Sequence, residues 1–359
     1  MRLVTNGSRQ TRTFGTKGEA QQFARAAEGQ AVEPTESGSV RYDMWVKTWF
    51  ADHSATVKPS SAFLYRKVLN HQILPELGWY SLTEITPPLI RGWQTRLTKK
   101  GLAPNTIQMA RNVLSMTLKA AVRDGLIPSN PALSVRGIRV ARPQITIIPE
   151  VDIDRLADAI GPRFRSLILL ASYGGLRIGE LGGLRLEDLD LDNQKVSVAR
   201  SLTRDSKGCW AIGSPKTQNS QRVITMPKFV VRDLEQHIAS GYSNGEFVFT
   251  GVEGGRLNPD YFRRVYFHEA LREAGLPRIR VHDLRHTAIS LWIAQGASPK
   301  LIAYLAGHGS VKAVFDIYGH LWGTEDLELA AKLDAARPSQ GGSLRDGHRS
   351  APGGPVSLL

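Results

Sequence analysis

Between residues 40 and 130 apolar side chains return with a helical period in four successive runs, MWVKTWFAD, SSAFLYRKVLNHQI, PPLIRGWQTRLTKKG and APNTIQMARNVLSMTLKAAVRDG. A short helix with one apolar stripe hides it only against another stripe, so four in a row must fold as a bundle. Pro or Ser opens three of the runs, and Gly101 and Gly125 close two, the usual punctuation of helix starts and stops. The spacing therefore predicts an all-helical region over residues 38–135.

Beyond it the pattern changes. A linker, SVRGIRVARPQITIIP, leads into a second region read over residues 145–336. Helices are expected near 150–160 and 163–183. Strands follow in KVSVARSLT, CWAIG and RVITMP, then a helix from about 227 to 240, a short strand EFVFT, and mostly helices from Pro259 to about Ala336. Helical, then strands, then helical again, without βαβ alternation, is the signature of a mainly helical α+β fold with a small antiparallel sheet. At the front, residues 1–32 are too few to hold a core of their own. Within them TFGTKGEAQQFARAAEGQ reads as strand, turn and helix, followed by the linker VEPTESGS. The tail, residues 337–359, is rich in Gly, Pro and Ser and is expected to be disordered.

Charge narrows the class of partner. The chain carries 46 Lys plus Arg against 33 Asp plus Glu, a net +13. Residues 38–140 hold 14 of the basic and 5 of the acidic residues, so about nine of those charges fall in the helical region. A skew of this size within one small bundle suits a surface that grips phosphates. A membrane is a poor rival, because no run of about 18 apolar residues occurs. The opening MRLVTNGSRQTRTFG lacks the apolar core of a secretory signal, and a cytoplasmic location is expected. Cys209 is the one cysteine, which excludes an internal disulfide and a cysteine-cluster zinc site; KGCWAIG suggests a strand position for it.

Several residues could carry chemistry, and each has a plain structural alternative. In ASYGGLRIGELGGLR, Arg177 follows a glycine pair that lets the backbone turn beside a ligand, and Glu180 stands three residues on, where it could hold an arginine. Alone, this could be a helix restart with an exposed arginine. In SPKTQNSQRVITMP, Lys216 falls in a polar turn between two expected strands, a hairpin tip that could reach a DNA groove or give a proton to a leaving alkoxide, or simply be solvated. In VHDLRHTAIS, a helix starting near Asp283 would bury Leu284, Ala288, Leu291 and Trp292 and leave His282, Arg285 and His286 free on its flank and far side. His282 and His286 have the spacing of a zinc pair, with His308 or His320 as a third ligand, but Arg285 would set a permanent positive charge beside the metal. Finally, LAGHGSVKAVFDIYGHLW carries His308 in a glycine-bracketed turn and Tyr318 ten residues later, which by itself could be a core aromatic. Together, two arginines, a lysine, two histidines and a late tyrosine in a basic chain form a set suited to a phosphodiester.

With GLRIGEL, PKTQNSQR, HDLRHT, LAGHGS and DIYGH in this order, the chain resembles the tyrosine recombinase family, the phage-type integrases, over residues 145–335. The resemblance implies a tyrosine recombinase catalytic domain, with Arg177 and Arg285 as the catalytic arginines and Lys216 as the lysine of the β-hairpin turn. It also implies His282 and His308 as the other basic positions and Tyr318 as the nucleophile. Glu180 would support the site, and His286 and His320 would be structural, hydrogen-bonded within the domain. Residues 38–135 are similar in helical pattern to the family's SAM-like core-binding domain, which would close with the catalytic domain around duplex DNA. The segment 13–28 resembles the last strand and helix of an arm-type DNA-binding domain, with the preceding strands largely missing.

A site-specific recombinase is thus expected, one that cuts and rejoins double-stranded DNA through a 3′-phosphotyrosyl link and a Holliday junction without metal or ATP. Tyr318 would attack, Lys216 would protonate the leaving 5′-oxygen, and His282 would be the main candidate for base. The resemblance further implies a homotetramer on DNA attachment sites, with a host DNA-bending protein and a directionality factor as possible partners. Leu327, Ala330, Ala331 and Leu333 in TEDLELAAKLDAA would dock on a neighbouring subunit. Integration or excision of a phage or mobile element is the expected task. The alternatives are a chromosome- or plasmid-resolving recombinase, a histidine-dependent metallohydrolase and a non-catalytic architectural DNA-binding protein.

Overall fold

The computed structural model describes residues 2–5, 8–11, 40–140, 145–213, 221–322 and 326–336. Two short strands, β1 (Arg2–Thr5) and β2 (Ser8–Thr11), pair antiparallel at the front of the chain. The expectation that strands are largely missing ahead of segment 13–28 is thereby corrected. Asn6-Gly7, between the two strands, is the dipeptide that tight hairpins favour. Segment 13–28 itself and the tail 337–359 lie outside the described residues.

The four apolar runs fold as α1 (Tyr42–Thr56), α2 (Pro59–Val68) continuing to α3 (Leu74–Leu77), α4 (Pro87–Lys99) and α5 (Pro104–Arg123). The second run passes Ile73 through a π-helical turn, Leu69–Ile73. Pro75 explains the turn: its nitrogen has no hydrogen to donate, and a widened turn upstream keeps the chain helical without that bond. The carbonyl of Gln72, in the same turn, accepts the indole N–H of Trp93 at 2.9 Å. Tyr42, Ile73, Leu77, Ile90, Trp93 and Leu114 are fully buried at the centre of this core. Val135 is also buried in it, so the bundle absorbs the start of the expected linker.

The second region opens with α6 (Glu150–Ala159), α7 (Pro162–Tyr173) and α8 (Ile178–Gly183). The single helix expected over 163–183 is broken at the glycine pair. Gly175 has a φ of +63°, and a Cβ there would stand 2.7 Å from the ring of Trp292, so both conformation and packing call for glycine. The strands β3 (Leu189–Asp190), β4 (Lys195–Val198), β5 (Ser201–Arg204), β6 (Trp210–Gly213) and β7 (Arg222–Thr225) form two sheets, β3-β4-β7 and β5-β6, antiparallel throughout. Among the described residues the strands flanking Lys216 are not partners: β6 pairs with β5 and β7 with β4, and the expected turn at Lys216 itself lies outside the described residues. Cys209 is exposed at the turn between β5 and β6, its amide donating to Asp205 at 2.8 Å, rather than within a strand. The expected strand EFVFT makes only isolated bridges, Phe247 with Arg185 and Thr250 with Arg256. Phe247, Val248 and Phe249 are all buried, so this segment passes through the core rather than lying on a sheet face.

Helices complete the region: α9 (Lys228–Ala239), α10 (Pro259–Tyr261), a π-helical turn Phe262–Phe267, α11 (His268–Glu273), α12 (Val281–Ala294), α13 (Pro299–Ala306), α14 (Val311–Tyr318) and α15 (Asp326–Ala336). The central helix α7 packs against α6, α9 and α12. A smaller core joins Ile289 and Ile293 of α12 to Ile302 and Ala306 of α13 and Val314 and Tyr318 of α14. Bundle and second region touch where Arg66 donates to the carbonyl of Ser206 at 3.1 Å and Phe63 covers Gly208. No helix among the described residues is long and apolar enough to cross a membrane.

Candidate active site

The break between α7 and α8 sets out the first functional group. Arg177 occupies the N-cap position of α8, and its amide donates to Glu180 at 2.9 Å while its guanidinium donates to the same carboxylate at 2.8 Å. Glu180 is 4% exposed and also receives Arg222, at 2.9 and 3.2 Å. Burial would raise the Glu180 pKa, but the hydrogen bonds and charge of Arg222, with the amide and charge of Arg177, hold it down at about 2. Arg222 was quoted within PKTQNSQR but given no role. Its readable signal is strand alternation: Arg222 and Ile224 take the inward positions of β7, where an arginine needs a buried partner.

Arg285 departs from expectation. The helix reading left it free on the flank of α12, yet it is 1% exposed. The reason is that α12 is covered on two sides, by α7 and by α13 with α14, so little of its surface remains open. Its guanidinium donates to the carbonyls of Gly175, just past the end of α7, and of Ala306, the last residue of α13. Arg222 takes the neighbouring carbonyl of Leu305 at 2.6 Å. Terminal helix carbonyls have no partner within the helix and carry its negative dipole end, so they can hold buried guanidinium groups in place. Burial, then Arg177 and Arg222, push the Arg285 pKa down, while Glu180 and Tyr318 act the other way.

Two histidines stand beside this positive cluster. His308 follows Gly307, a left-handed C-cap of α13, and its Nδ1 is buried without a hydrogen-bond partner. Burial, then Arg285, Arg177, Arg222 and His282, lower its pKa to about 4. His282 is exposed at the start of α12, but its ring is desolvated on the protein side; that effect and the charges of His286, Arg285 and Arg177 bring it also to about 4. The structure thus brings Arg177, Glu180, His282, Arg285 and His308 together. Lys216 lies outside the described residues.

Tyr318 closes α14 at 1% exposure, its ring within the small core and its hydroxyl hydrogen-bonded to Nδ1 of His286. The core-aromatic reading therefore holds for this side chain, with its hydroxyl hydrogen-bonded to a histidine. His286, expected to be hydrogen-bonded within the domain, is so, and its partner is the phenol; His282 stands T-shaped against His286 with ring centroids 4.9 Å apart. His320, read as hydrogen-bonded within the domain, is exposed on a 3-10 turn, Gly319–Leu321. Among the described residues no group of three His, Cys, Asp or Glu side chains is placed to hold a metal ion.

The sequence matches the phage integrase family model over residues 147–323, and the SAM-like N-terminal domain of phage integrases over residues 43–98. Among curated proteins it is 29% identical over 290 residues to a prophage phiRv2 integrase of Mycobacterium tuberculosis, covering 79% of this chain and 76% of the relative. It is 25% identical over 320 residues to the ICEBs1 integrase of Bacillus subtilis, covering 86% of each. In fold it is similar to the Tn1549 transposon integrase solved with transposon right-end DNA (TM-score 0.67, 23% identity, 83% of this chain and 100% of that one). It is also similar to lambda integrase solved as a dimer on a core site (TM-score 0.63, 18% identity, 86% and 88%). The two family models fall one on the bundle and one on the second region, and together span more than half of the chain. The chain belongs to the phage integrase family of tyrosine recombinases, enzymes of site-specific DNA recombination.

Proposed function

We propose that this recombinase binds duplex DNA attachment sites and cuts and rejoins them through a 3′-phosphotyrosyl link on Tyr318, integrating or excising a phage or mobile element. The observation that carries this reading is a charge imbalance beside a phenol. Arg177 and Arg222 share the carboxylate of Glu180, the buried Arg285 is held, among the described residues, by main-chain carbonyls alone, and two histidines held below their ordinary pKa stand among them. Such a cluster is relieved by an anion, and a phosphodiester brings one. Relatives that carry integrase in their names, from a prophage, a conjugative element and a phage, support the integrative role.

In the reaction the Tyr318 oxygen bonds to phosphorus, the bond to the 5′-oxygen breaks, and the phosphate energy is kept in the new ester for religation. Negative charge gathers on the non-bridging oxygens. Arg177 and Arg285 meet them with charge-assisted bonds, and neutral His282 and His308 add N–H donors. Glu180 holds Arg177 in place. Lys216 gives a proton to the leaving 5′-oxygen, for which positioned acids supply roughly 10² to 10⁴ in rate. With this many fixed positive groups the chemistry needs neither a metal nor ATP.

Exchange between two duplexes needs four nucleophiles, hence a homotetramer passing through a Holliday junction. Ala330, Ala331 and Leu333 of α15 are exposed, Leu333 at 64%, which suits docking on a neighbouring copy. A host DNA-bending protein and a directionality factor are proposed as further partners. The test is a nicked duplex spanning the junction between the element that encodes this chain and its host chromosome, incubated in EDTA and run on a denaturing gel. A covalent protein–DNA band is expected from the native chain and none from Tyr318→Phe, with binding retained. A band that persists in the variant, or cleavage that requires a divalent metal, overturns the reading; binding without any band supports the architectural alternative.

A further inference from the structure

The contact between His286 and Tyr318 joins elements 32 residues apart in the chain. His286, Ile289 and Ile293 lie three and seven apart, so they form one strip of α12. That strip packs on the small core to which Tyr318 belongs. The imidazole is therefore aimed at the reacting oxygen by apolar packing.

Proton positions follow from the surroundings. Burial pushes the Tyr318 phenol up to about 12, with Arg285 pulling it back and Asp283 adding to the rise. Burial also lowers the His286 pKa. At neutral pH the phenol thus keeps its proton and the imidazole is neutral, so the O–H donates and Nδ1 accepts, leaving the ring hydrogen on Nε2. The charged groups facing His286 are Asp283, which favours its protonation, and Arg280 and Arg285, which oppose it. His282 faces it edge to face. A neutral acceptor at rest with a carboxylate in reach can hold a proton for the lifetime of an intermediate.

We propose that His286 is the catalytic base for strand cleavage and the acid for religation. As the Tyr318 oxygen bonds to phosphorus, its proton passes to Nδ1 of His286. The bond from phosphorus to the 5′-oxygen breaks, and that oxygen takes a separate proton from the acid on the leaving side. On religation the 5′-hydroxyl attacks and gives its proton back to the group that supplied it, the phenolate leaves, and His286 returns the other proton to the phenolate. This role was expected of His282, which sits one turn earlier and farther from the phenol. The inference rests on Tyr318 being the nucleophile.

The test measures single-turnover adduct formation on the nicked junction duplex with full-length protein. His286→Gln keeps an acceptor for the hydroxyl but cannot carry the proton, and adduct formation should slow by about 10²-fold or more with DNA affinity unchanged. A fluorinated tyrosine at position 318, whose phenol ionises near neutrality, should restore most of the lost rate in the Gln variant. A rate within threefold of native, or a loss that fluorination does not restore, overturns the proposal. If His286→Gln fails to fold, the fluorinated tyrosine in the native background decides: the acid limb of the pH–rate profile set by His286 should weaken, and an unchanged profile overturns the proposal. Absence of an adduct from the native chain, or its persistence in Tyr318→Phe, would instead overturn the nucleophile reading itself.

Discussion

The bundle and the second region handle charge in opposite ways. In the bundle the ion pairs stand on the surface: Glu76 receives Arg96 at 2.6 Å and Lys100 at 2.7 Å, from side chains 47% and 59% exposed. Its interior is mainly apolar and holds no buried charged side chain among the described residues, its buried polar groups being neutral ones such as Gln94 and the hydrogen-bonded pair Tyr42 and Thr117 at 2.7 Å. In the second region charges go inside, with the Arg222 side chain fully buried, Arg285 at 1% and Glu180 at 4%. An apolar interior needs only a pattern, whereas a buried charge needs a named partner at a fixed distance. The second arrangement costs stability unless every partner is present, and it leaves a site whose positive field is set before the phosphate arrives.

That contrast can be broken most sharply at Glu180. Glu180→Gln would strip the shared carboxylate from Arg177 and Arg222, and a loss of about 3–5 kcal/mol is expected in denaturant unfolding. The same group sets an acid limb. Its folded pKa, about 2, lies below its ordinary value of 4.5, so its contribution is complete above about pH 4.5 and is lost as pH falls toward 2. That limb amounts to about 3 kcal/mol and should flatten in Glu180→Gln; an acid limb identical to native would place the carboxylate elsewhere.

A backbone change should cost less. Gly175→Ala forces a left-handed φ on alanine and drives a methyl toward Trp292, whose indole N–H donates to the carbonyl of Tyr173 at 3.0 Å. About 2 kcal/mol of stability should be lost, and adduct formation with it, because the Gly175 carbonyl that holds Arg285 moves. Thermal melts beside single-turnover assays would separate the two effects. The smallest change belongs to the bundle. Glu76→Gln breaks two exposed ion pairs and should cost under about 1 kcal/mol, less still at high salt. A larger loss would mean that the bundle, too, depends on fixed charge.

Much of the fold was legible because its signals are local. The four helical runs, the order helical–strand–helical and the turn at Gly174-Gly175 depend on residues close in sequence. The misreadings arise where a local pattern was extended past the residues that decide it. The helix across 163–183 was extended through a glycine pair that closes it, and EFVFT was read as a strand because a buried apolar run looks alike in any conformation. The hairpin at Lys216 assumed that neighbouring strands pair, whereas β7 returns to β4.

At the site the division is sharper. By itself the sequence determined which chemistry-bearing residues are present and in what order, from Arg177 through His282 and His308 to Tyr318, and that is enough to identify the family. Only the tertiary structure decided which of them touch. Arg285 is held by carbonyls 110 and 21 residues away, Arg222 by Glu180 across 42, and Tyr318 by His286 across 32. Periodicity reports a residue's own helix and nothing of what packs upon it. A helix covered on two sides turns an apparently free arginine into a buried one, and only that packing decides that the histidine expected to be hydrogen-bonded within the domain has the phenol as its partner.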